Sequence, residues 1–157
     1  MAGIVVGVDG SADSDVALEW AVAEAERWKV PVTAITVAPR MVTIGAGAPM
    51  LGPVDQEMLQ AMGEAARAAA EKAAVGHEVP INVRAIAGVP AEELLNASVD
   101  ADMLVVGSRG HGGFARLLLG SVSSQCVHHA GCPVVVIPSR HRGRQRGPAG
   151  AEDPTPR

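Results

Sequence analysis

Five short aliphatic runs punctuate this chain: Ile4–Val8, Val32–Val37, Ile81–Ala87, Met103–Val106 and Val134–Ile137. Most are continuous and β-rich, as suits strands covered on both faces. Ile81–Ala87 instead alternates, with Asn82 and Arg84 sharing one face, which places it nearer a sheet edge. Helix-patterned segments separate the runs. Leu18, Ala21, Val22, Ala25 and Trp28 recur at three- and four-residue steps and form one apolar stripe. Ser11 or Ser14 can cap that helix, and Asp13 and Asp15 suit its positive end. A second helix is expected over about Val54–Val75, with Gly76 as its C-terminal cap. A third starts at Pro90 and a fourth near Gly120. Such alternation demands crossovers that pass over the faces of a parallel sheet. The expected fold is therefore a single α/β domain over residues 1–138. Its five-stranded parallel sheet has helices on both faces and strand order 3-2-1-4-5. Ala38–Pro53, rich in proline and glycine, is expected to be a long loop.

Composition narrows the class further. Hydrophobic residues make up 48% of the chain, yet tyrosine is absent and Trp20, Trp28 and Phe114 are the aromatic residues. The core must then be aliphatic. No apolar run approaches the ~20 residues of a membrane span, and no basic segment precedes a hydrophobic stretch at the N-terminus. Cys126 and Cys132 are too few for a disulfide scaffold and lack C-x-x-C spacing. The expectation is a cytoplasmic protein with no membrane partner. Residues 139–157 carry five arginines against Glu152 and Asp153, a balance of +3, so a total of -4 leaves -7 on residues 1–138. An acidic body disfavours nucleic acid as a partner. The tail, poor in large apolar residues, reads as a disordered basic segment.

The stretch Gly107–Ser121 (GSRGHGGFARLLLGS) joins the fourth run to the fourth helix. Gly107, Gly110, Gly112 and Gly113 let backbone amides crowd round an anion, and the helix that follows adds free N–H groups and a positive dipole end. A loop that glycine merely makes easy to turn is the plainer account. In open parallel sheets ligands settle beyond the carboxyl ends of the strands, where strand order reverses. Asp9-Gly10-Ser11, after the first strand, would face the same crevice as the glycine loop. That placement favours a nucleotide.

With these residues in view, the chain resembles the universal stress protein family in its ATP-binding branch. The pattern G-x-x-G, nine residues, then G-S is met by Gly107, Gly110, Gly120 and Ser121. The opening IVVGVDGSADS, the VGSRGHGG turn and the ending CPVVVIP support it across residues 3–138. The resemblance implies a Rossmann-like, adenine-nucleotide-binding domain that takes ATP, with Mg, and acts as a stress-response binding module. It places Asp9, with Gly10 and Ser11, near the nucleotide and its metal; a helix-capping acid is the alternative for Asp9. Val37 would pack on adenine or serve only as core. The glycines form the amide cradle with His111 among the cofactor-binding residues, Ser108 and Arg109 add donors, and Ser121, Val122 and Ser123 meet phosphate. Arg109 and Arg116 suit phosphate neutralisation or a plain surface role. The family also implies a homodimer paired through Val134–Ile137.

Departures limit the chemistry. The loop has no lysine, so it is not the G-x-x-x-x-G-K-[ST] loop of phosphoryl-transfer enzymes, nor does it carry G-x-G-x-x-G. His111 lies within the loop, where a solvent-facing turn residue is commoner than a hydrolytic one. His128 and His129 point about 100° apart on a helix, which disfavours zinc with Cys126 or Cys132. No catalytic residue is assigned. The rival readings are a slow ATPase or AMP-forming enzyme, a site for cyclic AMP or another adenylate, and a purely structural dimer.

Overall fold

The computed structural model describes residues 3–44, 48–110 and 118–138. The expected tail 139–157, and His111, Gly112, Gly113 and Arg116 of the glycine loop, lie outside the described residues.

The chain runs β1 (Ile4–Gly7), α1 (Ala12–Trp28), β2 (Val32–Pro39), β3 (Met41–Ile44), β4 (Ala48–Leu51), α2 (Gln56–Ala73) and β5 (Ile81–Gly88). It continues through α3 (Pro90–Ala97), β6 (Met103–Gly107), α4 (Ser121–His129) and β7 (Val134–Ile137). The main sheet has the order β5-β2-β1-β6-β7, all neighbours parallel. These are the five aliphatic runs in the expected order 3-2-1-4-5. The order reverses at β1, which pairs Ile4 with Val32 on one side and with Met103 on the other.

Successive side chains on a strand point to opposite faces, so each central strand feeds two cores. Ile4, Val6, Val32, Ala34 and Val105 meet Leu18, Ala21 and Val22 of α1 and Ala66 and Ala70 of α2. Val5, Ile35, Val37, Leu104 and Val106 face the other way and meet Leu94 of α3 and Cys126 of α4. Burying a side chain such as Leu18 or Val22 stabilises the fold by roughly 1.5–3 kcal/mol. The α2 stripe is small: Gly63, Ala66, Ala70 and Ala73 are its buried residues. A β-carbon on Gly63 would sit 3.1 Å from that of Ala85, so α2 rides close over β5.

Local chemistry sets the helix ends. Ser11 caps α1 by accepting the Ser14 N–H, with Asp13 and Asp15 in the first turn. Pro90 opens α3, where its missing N–H leaves no helical bond unmade. Asp102 pins the start of β6 to β1: its carboxylate accepts the Gly3 N–H at 2.9 Å and its own N–H donates to the Gly3 carbonyl at 3.0 Å.

Three expectations are corrected. Ala38–Pro53 is not one long loop: β2 extends to Pro39, and β3 and β4 pair antiparallel, Met41 with Leu51 and Thr43 with Pro49. A two-stranded ribbon leaves each strand an open edge, so a proline there need not cost a ladder bond. Trp28 closes α1 but is 44% exposed at the helix end, where Lys29 takes a left-handed conformation, so it is not part of the buried stripe. The α2 helix caps at Ala74 rather than Gly76, whose φ of +83° serves the following turn.

Candidate functional site

At the switch point the carboxyl ends of β1, β2 and β6 open into a cleft of about 690 Å³. One wall is apolar. Ile35 and Val37 of β2, Val106 of β6 and Leu94 of α3 form it and belong to the second core, so it is held by the fold itself. The polar part of the lining comes from two turns.

The first turn follows β1. Asp9 Oδ1 accepts the Ser11 N–H at 2.9 Å, which curls the chain. Gly10 takes φ +82°, a conformation a side chain would strain. Ser14, 3% exposed, borders the cleft. Its hydroxyl donates to the Ser11 carbonyl at 2.9 Å and accepts the Asp9 N–H at 3.3 Å. Asp9 is thereby presented on the cleft wall, whereas Gly10 and Ser11 shape the turn without bordering the cleft.

The second turn follows β6. Gly107, Arg109, Gly110, Gly120, Ser121, Val122 and Ser123 border the same cleft. Gly110 lies so close to Asp9 that a β-carbon would overlap Oδ2 of that carboxylate. Gly120 caps α4 in extended geometry, which leaves the amides of Ser121, Val122 and Ser123 without helical acceptors. Those amides and the positive helix end make a place for an anion.

Ser108 has a different part from the expected one. It is 6% exposed and its hydroxyl donates to Asp13 Oδ2 at 3.3 Å. Its carbonyl accepts the Gly120 N–H at 2.7 Å and the Ser123 hydroxyl at 3.0 Å. It braces the site and does not border the cleft. Pattern reading also missed Ile35, Leu94, Pro90 and Ser14 as cleft residues. The apolar period of α3 was the available signal for Leu94, but a period cannot tell a core contact from a cleft wall.

Cys126 is fully buried among aliphatic side chains, and that burial pushes its thiol up to about 11. His128 Nδ1 lies 2.7 Å from the Ser124 carbonyl oxygen within its own helix. Among the described residues no three His, Cys, Asp or Glu side chains converge as metal ligands. No helix among them is long and apolar enough to cross a membrane.

A parallel sheet wound on both faces, with a glycine-bordered cleft at its switch point, defines a Rossmann-like domain. The model of the universal stress protein family matches residues 2–138, and the chain belongs to that family. It is 37% identical over 139 residues to a universal stress protein of Mycolicibacterium smegmatis, an alignment covering 86% of this chain and 47% of the relative. The chain thus spans about half the length of the curated relatives it matches. Among solved structures it is similar to the universal stress protein UspA of Lactobacillus plantarum, with a TM-score of 0.68 and 26% identity, covering 86% of this chain and 97% of that one. It is similar also to a universal stress protein solved in complex with cAMP, with a TM-score of 0.63 and 26% identity, covering 86% and 94% of the two chains.

Proposed function

We propose that this cleft binds an adenine nucleotide, with ATP as the ligand, and that the protein is a cytoplasmic, nucleotide-dependent binding module of the stress response. One observation carries the reading: an apolar wall and an anion-ready helix start share a single cleft. The apolar wall of Ile35, Val37, Leu94 and Val106 suits a purine face. The α4 amides and Arg109 suit phosphate.

Asp9 on the polar wall fits a divalent ion better than bare phosphate, because a carboxylate repels the triphosphate unless a cation lies between them. Mg bound with ATP would be held through that hard oxygen donor, and its charge would offset the phosphates. Titration calorimetry with MgATP tests the reading: saturable binding in the micromolar range supports it, and no binding below millimolar defeats it.

A second reading has its own support. The solved relative bound to cAMP shares the fold at 26% identity. Cyclic AMP carries a single charge and needs no metal to approach Asp9. Competition between cAMP and MgATP for the wild-type cleft ranks the two ligands.

The open edge of β7 is the proposed pairing surface of a homodimer. Val134–Ile137 pairs β6 on one side and is half-buried throughout, and among the described residues no strand pairs its other edge. Chromatography with light scattering should report twice the chain mass at micromolar concentration; a monomer there rejects this pairing.

A further inference from the structure

We infer that Asp13 is a positioning residue of the cleft, one that fastens the glycine-loop end to α1 and thereby sets where the first turn of α4 points. The inference takes its ligand from the nucleotide reading above, whereas its geometry stands apart from that reading.

Asp13 does not border the cleft. It lies in the first turn of α1, where a carboxylate is favoured by the helix dipole whatever else it does. Two contacts give it a second role. Oδ2 accepts the Ser108 hydroxyl at 3.3 Å. A β-carbon on Gly107 would meet the Asp13 carbonyl carbon and β-carbon at 3.0 Å, so the end of β6, where the loop begins, packs closely against α1. The hydrogen bond is long for one to a carboxylate, and close packing supplies the rest of the constraint.

Ser108 passes that constraint on. Its N–H donates to the Ile137 carbonyl at 2.8 Å, and its carbonyl accepts from Gly120 and Ser123 at 2.7 and 3.0 Å. With backbone and hydroxyl all engaged, a shift at Ser108 moves Gly120 directly. Gly120 opens α4, whose first amides face the proposed phosphate position. Binding groups must be held within about 0.5 Å to act well, and this link is the brace that holds them. The residues of the apolar wall stand on β2, β6 and α3, and none of them bonds to Asp13 or Ser108 in the link described.

Phosphate and base should therefore separate under mutation. In Asp13→Ala and in Ser108→Ala, affinity for AMP or MgATP is expected to fall about fivefold to tenfold, the scale of one ordinary hydrogen bond, as suits a long one. Adenosine should stay within about twofold. Asp13→Asn keeps an acceptor for Ser108 and should recover most of the loss. The double variant should lose less than the sum of the two single losses, because both remove the Ser108–Asp13 link. In ligand-free protein, hydrogen exchange at the Gly120 amide should quicken in Asp13→Ala.

Unchanged Gly120 exchange in Asp13→Ala overturns the inference, whatever binds. Equal losses for AMP and adenosine, or losses that add in the double variant, also overturn it, since a helix weakened at its start would behave so. Wild-type protein that binds no adenylate removes the nucleotide reading instead, and the exchange measurement then decides the brace alone.

Discussion

The α-carbon of Gly110 faces the carboxylate of Asp9, and the two turns that carry them meet across the polar wall of the cleft. A methyl group at position 110 must push Asp9 from the position in which Oδ1 holds the Ser11 N–H. Both residues are exposed, so the fold should absorb the change within about 0.5 kcal/mol. Gly110→Ala is expected to weaken MgATP binding about tenfold or more while the thermal midpoint barely moves, read by calorimetry and by melting. Intact affinity would remove Asp9 from the binding groups.

Gly107 and Gly120 should differ in how much stability an added methyl group costs. A β-carbon at Gly107 meets Asp13 backbone at 3.0 Å, which cannot yield cheaply, so Gly107→Ala should cost about 1–3 kcal/mol. At Gly120 the nearest atom would be the Arg109 α-carbon at 3.5 Å, an ordinary contact. Gly120→Ala should cost less than about 1 kcal/mol, mostly as a poorer helix cap. Urea unfolding of both variants checks the order.

Leu94 serves core and cleft together, at 4% exposure. Leu94→Ala should destabilise the domain by about 2–5 kcal/mol and also weaken adenosine binding. A variant that loses stability but binds adenosine fully would show that the base does not use this wall.

Glu26 ties α1 to the segment after α2. Its carboxylate lies 2.8 Å from His77 Nδ1 and accepts the Glu78 N–H at 3.1 Å. The His77 bond first, then the Glu78 N–H, hold its pKa below the ordinary carboxylate value. A carboxylate lowered on folding stabilises the fold above its unfolded pKa, and that contribution is lost as pH falls through the lowered folded value. Glu26→Gln should therefore melt slightly below wild type at neutral pH, with the gap closing under strong acid. A gap that persists in acid would assign the difference to packing.

Cys126 is buried with its thiol pushed up, while Cys132 is partly exposed. Native protein near neutral pH should offer one fast-reacting thiol to an aromatic disulfide reagent and two after denaturation. Two fast thiols in the native state would mean that α4 opens readily.

Much of the architecture was legible because its signals are local. Each of the five runs is apolar over its own few residues, α1 carries its own stripe and its Ser11 cap, and Pro90 marks the start of α3. The β3–β4 ribbon was not legible, since Pro39, Pro49 and the nearby glycines mimic a loop and only pairing across the ribbon makes strands of them. Within the cleft, Asp9, Val37, Gly107, Arg109, Gly110 and Gly120–Ser123 are gathered from residues that pattern reading named.

The sequence by itself determined the alternation of strand and helix, the aliphatic core and the glycines that let the loop approach its neighbours, because backbone freedom and side-chain periodicity are properties of short segments. Only the tertiary structure decided what Ser108 does. Its hydroxyl meets a carboxylate 95 residues away in the chain, and its carbonyl braces a helix that starts beyond the loop. A serine hydroxyl can donate or accept in almost any direction, so its role is set by whichever partner the fold brings within reach.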